Sequence, residues 1–208
     1  MFLSNEHIRE LCEGGPDSLI SEATYTANNV QQASYDLRLG AESYIVGSDA
    51  PIYLSKERQE HLTIAPGQFA LLTCHEILCM PENLLGLISL RNHYKMQGLV
   101  NISGFHVDPT HKGRLVFAVN NVGPSDVRLR LMEPTFTIFF ARVQGSIAKP
   151  RDPFPDRLPL QYVQNLGGSS VTLSKLQKEL EDLKTKVLMY APLGIALLIA
   201  LLLNLLKK

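Results

Sequence analysis

Leu115-Val116-Phe117-Ala118-Val119-Asn120-Asn121-Val122-Gly123-Pro124 is followed by two further apolar runs, at 127–131 and 135–143. Each run is short, rich in β-branched and aromatic residues, and bounded by turn residues such as Val122-Gly123-Pro124. Working outward, residues 43–46, 68–74 and 84–89 repeat the pattern. Asp49-Ala50-Pro51, Ala65-Pro66-Gly67 and Pro81-Glu82-Asn83 punctuate them. Short strands at this spacing predict a mainly β fold, a distorted β-barrel or jelly roll.

The two ends of the chain depart from that pattern. Ser4 before Asn5-Glu6-His7-Ile8-Arg9-Glu10-Leu11-Cys12 reads as a short capped helix, stopped by Gly14-Gly15-Pro16. Residues 149–159 hold four prolines and predict an extended arm rather than a helix or central strand. Gly167-Gly168-Ser169-Ser170 predicts a flexible joint. Leu173, Leu176, Leu180, Leu183 and Val187 then recur at steps of three and four, the spacing of a coiled-coil seam. Residues 187–206 carry no formal charge, and twenty helical residues at about 1.5 Å each match a bilayer core of about 30 Å. The expected organisation is a β domain over 1–148, an arm and linker over 149–171, a coiled coil over 172–186 and a transmembrane helix over 187–206. The expected localisation is the membrane, through a single-pass C-terminal anchor. Lys178, Lys184 and Lys186 against Lys207 and Lys208 weakly place the globular domain in the cytoplasm.

The 208 residues carry 20 basic and 20 acidic side chains, a balance that offers no electrostatic case for duplex nucleic acid. Three cysteines, Cys12, Cys74 and Cys79, suit a reducing compartment better than a disulfide framework. Cys74-His75 with Cys79 lacks the second ligand pair that a structural zinc needs, so no protein metal site is expected. The H-x-E and P-C-x-x-C motifs of zinc-dependent nucleobase deaminases are absent.

The order of landmarks resembles the dCTP deaminase and trimeric dUTPase superfamily, closer to its dCTP deaminase branch. Gln32-Ala33-Ser34-Tyr35-Asp36-Leu37-Arg38-Leu39-Gly40 resembles the Q-x-S-x-D-L-R-L-G signature, and Pro66-Gly67-Gln68-Phe69 its P-G-x-F turn. Leu90-Arg91-Asn92-His93-Tyr94-Lys95-Met96-Gln97-Gly98-Leu99 stands where that family has G-R-S-S-x-x-R-x-G-L. Val107-Asp108-Pro109-Thr110-His111-Lys112-Gly113 is similar to I-D-P-G-[FW]-x-G, and residues 115–123 to the strand that follows it. Gln161-Tyr162 and Thr172-Leu173-Ser174-Lys175 echo its C-terminal region.

The resemblance implies a dUTPase-like barrel that assembles as a homotrimer and binds a pyrimidine deoxynucleotide, with Mg²⁺ on a triphosphate. It implies ligand contacts from Arg91, Asn92, His93, Lys95, Gly104, Asp108, Gln161 and Tyr162. It also implies a catalytic carboxylate on the strand after the Asp108 loop, where a single group works as base and then as acid. Ala118 stands there, and no acidic residue lies between Arg114 and Ser125. Met96 replaces a phosphate-binding arginine, and Asn92 and His93 replace paired serines. Asp108 would be the water-activating residue if the chemistry were that of a dUTPase. Asp36 is read either as a core-orienting group or as a contact to a neighbouring subunit's ligand. Three functions remain in view. The first is a nucleotide-binding pseudoenzyme acting as a nucleotide-responsive membrane effector. The second is an active deaminase or dUTP diphosphatase, and the third a membrane scaffold without ligand.

Overall fold

The computed structural model describes residues 1–15, 18–145, 147, 154, 157–166 and 173–205. The chain divides into two compact units, Met1–Ser170 and Val171–Lys208.

The first unit is mainly β, as its alternating runs predict. Its strands are β1 (Tyr35–Ile45), β2 (Ile52–Tyr53), β3 (His61–Ile64), β4 (Phe69–Cys74), β5 (Leu78–Cys79) and β6 (Leu84–Leu90). They continue with β7 (Leu99–Ser103), β8 (His106–Val107), β9 (Lys112–Gly113), β10 (Val116–Asn121), β11 (Val127–Arg130) and β12 (Pro134–Arg142). The main sheet runs β7-β10-β4-β1-β12-β6-β8, with β2 on β1, while β11-β3 and β5-β9 form separate pairs. Strands β7 and β8 sit at opposite ends of that order, yet only Gly104 and Phe105 separate them in the chain. The sheet must therefore curl until its two edges approach, and the Ile88 amide extends the β6–β8 pairing to the connecting residue, donating to the Phe105 carbonyl at 2.7 Å. The result is an incomplete barrel.

The inward residues of the curled sheet make the core. Tyr35, Leu37 and Leu39 of β1, Phe117 and Val119 of β10, and Phe136, Ile138 and Phe140 of β12 are all buried. Phe117 and Phe136 stack with centroids 3.8 Å apart. Alternation along β10 then sends Val116, Ala118 and Asn120 to the outer face, which sets up the site.

Helix α1 (Asn5–Cys12) caps one end of the core with Ile8 and Cys12. Ser4 occupies the N-cap position as expected, but its hydroxyl lies 2.9 Å from His7 Nδ1 instead of bonding a backbone amide. Two further short helices, α2 (Asn92–Lys95) and α3 (Leu160–Asn165), and a 3-10 turn at Ala27–Asn29 also belong to this unit.

The second unit is the helix α4 (Leu173–Leu205), which carries Pro192 within it. Among the described residues, no helix is long and apolar enough to cross a membrane. The expected transmembrane helix over 187–206 and the single-pass membrane localisation of a cytoplasmic domain are thereby corrected. The physical reason is local. Charged side chains run along α4 as far as Lys186, so the helix is not apolar over its whole length. Residues 206–208, the Gly-Ser joint at 167–170 and most of the proline-rich arm at 149–156 lie outside the described residues.

Candidate functional site

The outer face of β10, β4 and β1 carries the sequence's most telling substitution. Ala118 pairs across the ladders with Leu71 and with Ser103, and Leu71 pairs in turn with Tyr44. Tyr44, Leu71, Ala118 and Leu158 form a buried apolar cluster, with Val163 and Leu166 packed against it. Leu158 belongs to the C-terminal arm, and its amide donates to Glu42 Oε2 at 2.7 Å. Glu42 lies two positions before Tyr44 on β1, so its carboxylate shares this face but is held by the arm.

Beside the cluster opens a cavity of about 390 Å³. Leu71, Ser103, His106, Val107, Asp108, His111, Arg114, Leu115 and Val116 line it from the sheet and the loop after β8. Phe154, Tyr162, Asn165 and Leu166 line it from the arm and α3. The loop is a tight turn: the His111 amide reaches the Asp108 carbonyl at 3.3 Å, and Thr110 takes φ 65°. Asp108 Oδ1 lies 3.6 Å from His106 Nε2, an ion pair when the imidazole is protonated. His111 is buried with its ring 5.9 Å from that of Phe154.

Gly113 explains why the arm can come so close. Its φ is +132°, and a Cβ there would stand 2.4 Å from the Phe154 carbonyl oxygen. The Phe154 amide meanwhile donates to the Lys112 carbonyl at 2.8 Å. Arg114 enters the cavity wall with Nη1 bonded to the backbone carbonyls of Cys74 and His75.

Behind this wall sits a buried charged tie. The β1–β12 register shifts between Leu37 and Arg38, and the Arg38 amide turns to Glu76 Oε2 at 2.9 Å. Arg38 Nε donates to Glu76 Oε1 at 2.7 Å, and the guanidinium also reaches the Thr24 carbonyl. Burial raises the Glu76 pKa above the usual carboxylate range, opposed by Arg38. Cys74 is a structural thiol here. It donates to the Glu76 carbonyl, accepts the Leu115 amide, and burial pushes it up to about 12.

His75 carries a pH dependence. Burial first, then the Arg38 and Arg114 charges, lower it from 6.5 to about 4. The unfolded chain therefore takes up this proton before the folded one does. Stability contributed by neutral His75 is complete above pH 6.5 and is lost as pH falls from 6.5 towards 4. Urea unfolding is expected to weaken across that window with a slope of at most about 1.4 kcal/mol per pH unit from this group. His75→Asn should flatten the curve there.

The residues singled out in the sequence fall into three places. Asp108 and Tyr162 line the cavity, while the neighbouring Gln161 is exposed and outside its lining. Gly104 lies between lining residues Ser103 and His106. It has φ +84°, and a Cβ there would meet the Phe117 ring at 2.8 Å, so its glycine serves backbone packing. Arg91, Asn92, His93 and Lys95 gather on and before α2, away from the cavity lining. Arg91 Nη1 lies 2.5 Å from Asp36 Oδ2, and Thr137 Oγ1 donates to Asp36 Oδ1 at 2.7 Å. Asp36 thus anchors Arg91 within its own chain. Lys95 Nζ donates to Ser89 Oγ at 2.6 Å, and His93 faces the Gln97 amide at 2.9 Å.

Sequence reasoning passed over Ser103, His106 and Arg114 as cavity residues. His106 had a usable signal, because it stands two residues before Asp108. Arg114 had none, since its fixing partners are carbonyls of a loop about 40 positions away.

The dCTP deaminase-like family profile matches residues 2–143, which take in β1 to β12 and stop before Phe154. The dCTP deaminase of Thermococcus kodakarensis is 30% identical over 126 residues, covering 61% of this chain and 78% of that protein. That of Pyrococcus abyssi is 28% identical over 126 residues, with 61% and 79% covered. The dUMP-forming dCTP deaminase of Methanothermobacter thermautotrophicus is 27% identical over 164 residues, with 72% and 83% covered. The structure of 2'-deoxycytidine 5'-triphosphate deaminase from Agrobacterium tumefaciens aligns at a TM-score of 0.55 and 19% identity over 68% of this chain, a likeness of fold. The present chain spans just under half, 47%, of that one. On the strength of the match over residues 2–143, this chain belongs to the dCTP deaminase-like family.

Proposed function

We propose that this protein binds a pyrimidine deoxynucleotide in the cavity beside Ala118 and does not deaminate it. The observation that carries the reading is the sealing of Ala118 under Leu158, among Tyr44 and Leu71. Deamination at a pyrimidine ring needs a group that takes a proton from water and returns it to the leaving ammonia. A methyl group within an apolar cluster does neither. The carboxylate on the same face, Glu42, is engaged by the Leu158 amide.

Retention of binding rests on the rest of the cavity. His106, His111 and Arg114 bring positive or polarisable nitrogen to its wall, which suits an anionic ligand. Asp108 supplies an acceptor for a sugar hydroxyl, and Tyr162 and Phe154 supply ring faces for a base. The pyrimidine class comes from the relatives, whose names specify dCTP. Among the described residues, no group of three His, Cys, Asp or Glu converges to hold a metal. Mg²⁺, as implied by the resemblance, fits here only as a companion of the phosphates. Homotrimer assembly belongs to the same reading.

The test is ligand-induced stabilisation of the full chain by dCTP and dUTP. A ligand that binds only the folded state raises the melting temperature by mass action. Asp108→Asn is expected to cut the shift while leaving the ligand-free melting temperature close to wild type. Equal shifts in both proteins would remove Asp108 from the site, and no shift with either nucleotide would sink the proposal. A second reading is favoured by the 3.6 Å His106–Asp108 pair in the cavity wall. That pair could activate water toward a phosphate, and its mark would be pyrophosphate release from dUTP.

A further inference from the structure

We infer that α4 is a self-association element that zips in parallel and in register against α4 of further copies of this chain. Leu176, Leu180, Leu183 and Val187 lie on one stripe of the helix, and they are 50%, 52%, 60% and 57% exposed. Side chains of this size left half open or more, at alternating steps of four, three and four, fit the holes of a like helix. The occupant is a second copy because the helix supplies its own complement. With Leu180 and Val187 at a and Leu176 and Leu183 at d, Glu179 falls at g and Lys184 at e. In a parallel pair in register, g of one helix meets the following e of its neighbour, so Glu179 faces Lys184 of the next copy.

The distribution of apolar surface sets the direction. Beyond the charged segment, Leu188, Met189, Tyr190, Ile195 and Ile199 are also exposed. A parallel arrangement brings these halves of neighbouring helices together. An antiparallel pairing that matches Leu176 with Val187 would leave Ile195 and Ile199 overhanging the partner's start near Leu173. Burial of apolar area therefore favours the parallel form. The inference stands apart from the nucleotide reading, since it involves none of the cavity's residues.

Cysteine cross-linking of the full chain decides it. Leu176→Cys and Val187→Cys are each oxidised alone and then as a mixture. The native thiols of Cys12, Cys74 and Cys79 lie in the first unit and serve as background. The expected result is an intermolecular disulfide for each variant alone, with most chains cross-linked. Adding Leu180→Asp to Val187→Cys should reduce that yield at least several-fold. Cross-linking only in the mixture would establish an antiparallel pair and overturn the proposal. Absence of cross-linking in every sample would show that no second copy covers this stripe, which also overturns it.

Discussion

Arg38→Ala is expected to lower the free energy of unfolding by about 3–5 kcal/mol, the cost of stripping one partner from a buried ion pair. Glu76 has no exposed side-chain surface, and Arg38 has 14%. The carboxylate accepts the Arg38 amide at Oε2 and the Arg38 guanidinium at Oε1, and the guanidinium also reaches the Thr24 carbonyl. Without it, Glu76 keeps only the residue-38 amide. Domains of this size are stable by roughly 5–15 kcal/mol, so the variant should sit near the threshold of folding. The sign of its pH dependence follows from burial. Loss of Arg38 raises the folded pKa of Glu76 further above 4.5. The penalty is thus small below pH 4.5, where both states hold the proton, and grows as pH rises. Urea titrations of variant and wild type at several pH values measure this. A penalty that stays constant with pH would mean the carboxylate is not the group left stranded. Pairing Arg38→Met with Glu76→Leu should recover much of the loss.

The second large effect concerns position 118. Ala118→Glu restores the residue type that the family resemblance places there. It also puts a carboxylate into a cluster formed by Tyr44, Leu71 and Leu158. An ion buried without a partner costs several kcal/mol after relaxation. The variant should therefore unfold at a markedly lower urea concentration, and it should release the arm that Leu158 anchors. Limited proteolysis between Phe154 and Leu166 reads the second consequence. Should Ala118→Glu prove as stable as wild type and convert dCTP to dUTP, the cluster would be a removable cover over an intact active site.

Some of this was written plainly in the chain. The runs at 127–131 and 135–143 became β11 and β12, and the run at 115–119 became β10, because alternation and turn residues act locally. The outward direction of Ala118 follows from the same alternation. Other features depend on partners distant in sequence. Nothing local says that β7 and β8, two residues apart, end on opposite edges of one curled sheet. Arg91, expected as a phosphate ligand, is also paired with Asp36, 55 positions earlier, a contact that no local pattern announces. The cavity depends on Phe154, Tyr162 and Leu166 folding back over the sheet, a contact made possible by Gly113. The membrane expectation is not met: among the described residues, no helix is long and apolar enough to cross a membrane.

The most direct measurement is ammonia release from dCTP by the purified full chain, with protein in excess over nucleotide so that even one slow turnover registers. Bound dCTP recovered intact, together with a raised melting temperature, is the predicted result. Stoichiometric ammonia and dUTP would contradict the account, because some group other than residue 118 would then be carrying the proton.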